Sequence, residues 1–373
     1  MRQQVHLQLA KLRRQKGITQ QELAEIIGTS FQNISKWENG ITMPDITILP
    51  VLAGYFHISV DELLGLIPLK NEIYLSEETD TEDFWGQRLE YLLRTRKTSW
   101  NLDYLEFLIQ KVWKLDRPVR VLDCGCGYGY MGLLMMPLLH RGSTYTGVDF
   151  SKELISHGKK LFEKAGIEGD LQEKDFLQWK SRKQYDVVLC QSVLRHVGDS
   201  RPFIRKMIDL GMPGSLIICI DTNRELECAG LYVEGMDYGD LCNHQGAIKH
   251  WKTEKEKGDR DYAAAMRNAF VMHELGLKNI EVRMNDKMSF VCPEHGDYEQ
   301  TVEDFVQQNS LWYQKQDGTD RLMSHGMSRK EAENYLGRGE KIENYFSEHE
   351  SEVSYLQFKG KTITFGYREG VFA

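Results

Sequence analysis

The run VLDCGCGYGYMG, Val121 to Gly132, ends an apolar stretch in an aspartate and follows it with glycines at 125, 127, 129 and 132. Glycine lets a backbone approach a ligand closely, and a helix opening behind the turn favours negative charge at its first N–H groups. Two registers fit. Gly127, Gly129 and Gly132 spell the G-x-G-x-x-G of a dinucleotide cradle, whereas Asp123-x-Gly125-x-Gly127-x-Gly129 begins from the acid at the strand end. Asp149, closing STYTGVDFS, can accept both hydroxyls of a ribose in either register. Asp175 in EKDFLQW is expected at the end of the third strand, and Gln191 and His196 follow in YDVVLCQSVLRHV, the fourth. His196 is a candidate general base, with core packing as its ordinary alternative.

A second polar set lies near the start. Gln32, Asn33 and Lys36 lie away from the apolar face that Ile34 and Trp37 form on FQNISKWEN, and Ser30 stands ready as N-cap. The two amides carry the paired donor and acceptor that adenine presents in the major groove, and Lys36 suits a phosphate or a guanine. Just upstream, Thr19 can cap QQELAEII and Gly28 ends it, so two helices meet at a short glycine turn. That is the geometry of helix-turn-helix recognition. Phe31, at the tip of the third helix, has two readings: contact with a thymine methyl, or cover for the core.

The elements that must hold these residues follow from pattern and composition. At 373 residues, 41% hydrophobic and 27% charged, the chain suits two globular domains. Residues 1–68 form the first, with LAKLRRQKG as an opening helix stopped by Gly17. Its six Lys or Arg balance six acids, so DNA affinity would come from a two-fold homodimer. Residues 69–83, with LSEETDTED, read as an acidic linker. Residues 84–373 open with helical FWGQRLEYLLRTR and LDYLEFLIQKVW, then alternate strands and helices in the manner of a doubly wound α/β sheet. Helical lid insertions are expected near 224–272 and 297–350, interrupting the closing strands IEVRMNDKMSFV and TITFGYRE. The first holds Tyr232, Glu234, Tyr238 and His244, polar groups suited to an acceptor.

Composition also excludes. Seven cysteines, from Cys124 to Cys292, fit reduced thiols, and Cys124 and Cys126 read as small loop fillers. They stand too close for a zinc knuckle, and no second Cys pair or His cluster is found at ligand spacing, so no metal is expected. No apolar run reaches a bilayer span and the opening residues are polar, so a cytoplasmic protein without membrane contact is expected.

TQQELAEIIGTSFQNISKWENGITMPDITILPVLAGYFHISVDELL resembles the Xre/Cro-type helix-turn-helix domain of phage and bacterial repressors. The resemblance implies phosphate contacts from Gln20 and Asn39, bases faced by Gln32, Asn33 and Lys36 behind the Ser30 cap, and an internal pair of Arg13 with Glu38. The second register of the glycine loop, with the acids that follow it, resembles the class I S-adenosylmethionine-dependent methyltransferases from Arg117 to Asn223. It implies Asp123, Gly125 and Gly127 around the amino-acid end of S-adenosylmethionine, Asp149 with Phe150 at the ribose, Asp175 with Phe176 at the adenine, and Gln191 beside the methyl group. By the same resemblance the catalytic candidates are His196, Tyr232 and His244.

Three functions follow. One is methyl transfer to a small-molecule acceptor, fused to a DNA-binding regulator. Another is a transcription factor whose methyltransferase fold only senses the cofactor. A self-targeted DNA methyltransferase ranks below both, because QSVLRH replaces the N-P-P-Y type sequence of amino-methylating enzymes and no P-C nucleophile serves cytosine.

Overall fold

Thr19 accepts the backbone N–H of Glu22 while the Glu22 carboxylate takes the N–H of Thr19, and this reciprocal box starts a helix where the sequence places one. The computed structural model describes residues 7–16, 18–56, 58, 60–64, 89–97, 99–242, 246–257, 260–310, 318–349 and 352–370. The chain divides into two compact units, Met1–Ile73 and Tyr74–Ala373. Gly17, the acidic linker 69–83 and His244 lie outside the described residues.

In the first unit α1 (Leu9–Gln15), α2 (Gln20–Ile27), α3 (Phe31–Glu38), α4 (Ile48–Phe56) and α5 (Val60–Leu63) close around one core. Leu23, Ile34, Trp37 and Leu52 are buried there. Ser30 caps α3 by accepting from Asn33 N at 3.2 Å, and Gly28 ends α2 at φ 75°, a conformation cheap only for glycine.

The second unit begins with α6 (Leu89–Lys97) and α7 (Leu102–Phe107), the latter continued by a π-helical turn over Leu108–Val112. Then come β1 (Arg120–Cys124), α8 (Tyr130–Met135), β2 (Thr144–Asp149), α9 (Lys152–Ala165), β3 (Asp170–Glu173), β4 (Tyr185–Gln191), α10 (Ser200–Leu210) and β5 (Gly211–Thr222). Past β5 stand α11 (Arg224–Ala229), β6 (Leu231–Val233), α12 (Tyr238–Leu241), α13 (Ala247–Glu256), α14 (Ala264–Glu274), β7 (Lys278–Met284) and β8 (Met288–Val291). The chain ends with α15 (Tyr298–Ser310), α16 (Gly318–Ser324), α17 (Arg329–Glu348), β9 (Tyr355–Phe358) and β10 (Lys361–Tyr367).

Seven strands form the main sheet in the order β3-β2-β1-β4-β5-β10-β7. The five on the β3 side pair in parallel, and β10 lies antiparallel between β5 and β7. Val121, Leu122, Val187 to Cys190 and Leu216 to Ile220 are all buried, as central parallel strands require of their continuous apolar runs. Among the described residues, no helix is long and apolar enough to cross a membrane.

Three findings correct the expected layout. Of the stretch IEVRMNDKMSFV only its first five residues, Ile280 to Met284, join the main sheet as part of β7; Met288–Val291 crosses to a small antiparallel sheet of order β6-β9-β8. That sheet was invisible to pattern because its three strands have only three or four residues each. The helix α14 packs on β5, β7 and β10, so it covers the main sheet and the first insertion ends before it. Finally, β3 ends at Glu173, and Asp175 lies in the turn beyond it.

Candidate functional site

Parallel strands place their carboxyl ends on one edge, and ligands bind outside that edge. Register puts Asp123 opposite Leu189 and Gln191 opposite Ile220, so the glycine loop, the end of β4 and the end of β5 share it. Both insertions open there as well. Lys361 pairs with Thr222 and Thr362 with Met284, so the chain leaves the sheet after β5 and after β7, and returns into β10, at this same edge.

The loop is built as its glycines demand. Gly125, Gly127 and Gly129 have φ of 73°, 56° and 80°. A Cβ on Gly125 would stand 2.6 Å from Val193, and one on Gly129 would stand 2.6 Å from Phe162. Gly132 serves packing, with the Tyr145 ring 2.6 Å from the place of its missing Cβ. Gly127 is roomier, and the Arg96 guanidinium lies 3.8 Å from its would-be Cβ. Cys126 fills space against Gly147, and burial pushes both loop thiols well up, so Cys124 and Cys126 are inert fillers here.

Asp123 is buried, and burial raises its carboxyl to about 7 against the opposing bond from Tyr145. Tyr145 donates to Oδ2 at 2.8 Å; among the described residues Oδ1 has no hydrogen-bond partner. An orphaned carboxylate oxygen on one side and a guanidinium above Gly127 fit an amino-acid zwitterion, ammonium to Asp123 and carboxylate toward Arg96. Asp149 accepts from Gly127 N at 2.7 Å and from Ser151 N at 2.9 Å, which ties the loop to the end of β2. Phe150 beside it is exposed. Asp175 is exposed and accepts from Leu177 N at 2.9 Å, whereas the Phe176 ring packs on Phe203 with centroids 4.6 Å apart. Phe176 therefore offers backbone rather than ring.

Gln191 is buried, its Oε1 accepting from Trp100 Nε1 at 3.1 Å. The next residue, Ser192, has φ 59°, uncommon for a residue with a side chain. His196 follows, but Arg195 Nε donates to its Nε2 at 3.0 Å. Burial, Arg195 and Arg260 hold the imidazole well below its ordinary range. A histidine so held is a weak base.

Of the other candidates, Tyr232 lies on the small sheet and not on the main one. Tyr232 is exposed on β6, in register with Leu356, and neighbours Tyr238 at 6.4 Å. Tyr238 donates to Ala229 O at 2.8 Å, and Glu234 is exposed. Pattern reading missed Arg96, Trp100 and Tyr145, which lie outside the motif positions. It also missed Asp221 and Lys361. Asp221, raised to about 6 by burial, accepts from Asn268 Nδ2 at 3.0 Å with Oδ2. Lys361, lowered to about 7 by burial among Arg96, Arg195 and Lys359, stands at the insertion mouth.

In the first unit Arg13 holds both oxygens of Glu38 at 2.6 and 3.0 Å, the internal pair implied by sequence. Gln20 Nε2 joins them at 2.7 Å from Glu38 Oε2, so its side chain is turned into the domain. Gln32 and Lys36 are exposed on α3. Asn33 is exposed and donates to Thr29 Oγ1 at 3.1 Å, Asn39 caps the helix end by donating to Ser35 O at 2.8 Å, and Phe31 is 46% exposed.

A doubly wound sheet with an antiparallel penultimate strand, and an acid-and-glycine loop at its carboxyl edge, defines the class I methyltransferase fold. Residues 115–289 match the methyltransferase domain family, and residues 9–63 match the helix-turn-helix family. The chain thus carries a helix-turn-helix domain and a methyltransferase domain. It is similar to the ubiquinone biosynthesis O-methyltransferase of Aeromonas salmonicida, 29% identical over 188 residues, 48% of this chain and 78% of that protein. The enzyme of the same name from Rhodopseudomonas palustris is 31% identical over 120 residues, 32% of this chain and 46% of that protein. A solved structure, Haemonchus contortus phosphoethanolamine N-methyltransferase 2, is 12% identical with a TM-score of 0.43, over 79% of this chain and 61% of that one.

Proposed function

We propose that the protein methylates a small-molecule acceptor from S-adenosylmethionine and that its first domain binds a two-fold DNA site as a homodimer, in the cytoplasm. The observation that carries the acceptor is the common origin of both insertions at the edge that bears the glycine loop. A duplex would need that edge open, whereas inserted chain on both sides of β10 suits an enclosed small molecule.

When bound, the cofactor supplies an electrophilic methyl group on a sulfonium. The chain's own work is alignment and exclusion of water. Asp123 and Arg96 would take the two charged ends of the amino acid, Asp149 and Phe150 the nucleoside, and Gln191, fixed by Trp100, would set the wall beside the methyl group. In the first domain, exposed Gln32, Asn33 and Lys36 are the base readers, held at a fixed angle by the Arg13–Glu38–Gln20 network.

The test is to incubate the full chain with S-adenosylmethionine and pools of candidate metabolites and to follow S-adenosylhomocysteine. Acceptor-dependent product formation is expected. Tight cofactor binding without it, joined to cofactor-dependent DNA affinity, would overturn the enzyme reading in favour of a sensor.

A further inference from the structure

His250 and Glu254 are one turn apart on α13, and His325 lies in the turn that follows α16. An i, i+4 pair puts two side chains on one helix face. Folding brings His325 to that face across 75 residues, with His250 Nδ1 and His325 Nδ1 at 2.8 Å. His325 Nδ1 also stands 3.1 Å from Glu254 Oε1. The three residues are 9%, 6% and 2% exposed for His250, His325 and Glu254, and their donor atoms all lie within 4.8 Å of one another.

The chemistry of this knot favours a cation. An imidazole Nδ1 carries at most one proton, directed in the ring plane, so His325 Nδ1 cannot donate along both edges at once. Three lone-pair donors converging in a buried place are served together by one metal ion, which also neutralises the buried carboxylate. Two imidazole nitrogens and one carboxylate oxygen are the donor set of the zinc class, whereas magnesium and calcium prefer oxygen alone. Metal–ligand bonds of about 2.0–2.2 Å at tetrahedral angles separate ligand atoms by about 3.3 Å. Side-chain rotations of roughly half an ångström take the present 2.8 and 3.1 Å to that spacing.

We infer that His250, Glu254 and His325 form a divalent transition-metal site of the zinc class that clamps the two insertions to each other. This departs from the sequence expectation of no metal, and the reason is physical: the ligands belong to segments far apart in the chain. The frame around the site is already built. Thr253 Oγ1 donates to His325 O at 3.0 Å, and Lys249 Nζ reaches Glu331 at 2.8 Å, so α13 is fastened on both sides of the site to the second insertion. Tyr262, whose ring centroid is 6.1 Å from that of His250, follows Asp261, whose N–H donates to Arg195 O at 2.6 Å beside His196. A metal here would therefore order the insertions over the edge where the acceptor is proposed to bind, and its binding does not depend on methyl transfer.

The test uses the full chain, stripped with a chelator and dialysed, then titrated with Co²⁺ and with Zn²⁺. One equivalent of Co²⁺ should bind with the visible bands of a low-coordinate N/O site, without the intense charge-transfer band of thiolate ligation. Zn²⁺ should raise the melting temperature where Mg²⁺ does not. Glu254→Gln keeps the shape of the side chain and should weaken Co²⁺ binding more than about 100-fold, since even outer-shell changes cost 10–100-fold. His325→Asn should do the same, and near-ultraviolet circular dichroism checks that each variant is folded. Binding that is absent in the folded wild type, or unchanged in folded Glu254→Gln, or marked by thiolate charge transfer, overturns the site.

Discussion

Tyr145 donates its phenolic proton to Asp123 Oδ2 at 2.8 Å, and both groups are buried at the root of the glycine loop. Burial holds the Asp123 carboxyl near 7, so between about 4 and 7 the folded chain keeps a proton that the unfolded chain has lost. Stability contributed by this group therefore falls as pH rises through that window. A bound ammonium reverses the balance by favouring the carboxylate. Cofactor affinity should accordingly rise with pH through about 7, with release of up to one proton, and Asp123→Asn should flatten the profile. Calorimetry in two buffers of different ionisation enthalpy reads the proton directly; binding without proton release between pH 6 and 8 would remove Asp123 from the ammonium.

Asp149 is expected to matter twice, once through the ribose and once through its bonds to Gly127 N and Ser151 N. Charge-assisted bonds contribute about 1.5–3 kcal/mol, so Asp149→Ala should weaken S-adenosylmethionine by at least about tenfold. Asp149→Asn, which can keep one backbone bond, should be milder. Equal affinities for wild type and Asp149→Ala, with the fold intact by circular dichroism, would contradict this placement.

Gly125→Ala meets two obstacles, a φ of 73° and a Cβ 2.6 Å from Val193 Cγ2. Left-handed backbone costs a non-glycine residue about 1–3 kcal/mol. The variant should lose cofactor affinity about tenfold or more. Adding Val193→Ala should restore only part of it, because the smaller neighbour relieves the clash but not the backbone. Full restoration would show that sterics alone constrain the loop.

How much of this was legible in sequence depends on range. Asp123, Gly125 and Gly127 lie within five residues and carry their own signature, and the capping box of Thr19 with Glu22 is equally local. Arg13 with Glu38 was reachable only through the family pattern. Tyr145 on Asp123, Trp100 on Gln191 and His325 on His250 are pairs separated by 22, 91 and 75 residues, and no periodicity announces them. The small β6-β9-β8 sheet failed for another reason: strands of three or four residues are shorter than one alternation pattern needs to register.

For DNA, the bond from Gln20 to Glu38 changes what its removal should do. Gln32→Ala and Lys36→Ala, on the exposed face of α3, should lower binding while leaving the melting temperature within a degree or two. Gln20→Ala and Arg13→Ala should act through stability instead. Glu38 has a side chain only 4% exposed, and stripping Arg13 from a buried pair costs about 3 kcal/mol. Selection from random duplexes, with thermal melts of the same variants, separates the groups. Loss of site preference in Gln20→Ala at unchanged melting temperature would return its side chain to the DNA.

His196 tests what kind of catalysis the second domain performs. Were it a general base, its removal would cost 10²–10⁴-fold in turnover and erase one limb of the pH profile. The structure argues otherwise: Nε2 accepts from Arg195 Nε at 3.0 Å, and burial with two arginines keeps the ring neutral well below its ordinary range. A ring that holds its proton so weakly cannot take one from an acceptor with much driving force. His196→Gln retains an acceptor for the arginine and should keep kcat within about threefold, with the shape of the pH profile unchanged. His196→Leu removes that acceptor, loosens Arg195 and through it the bond from Asp261 N to Arg195 O, and should raise KM for the acceptor more than it lowers kcat. A kcat loss of a hundredfold in His196→Gln, with the loss of an acidic limb, would make the histidine the base after all.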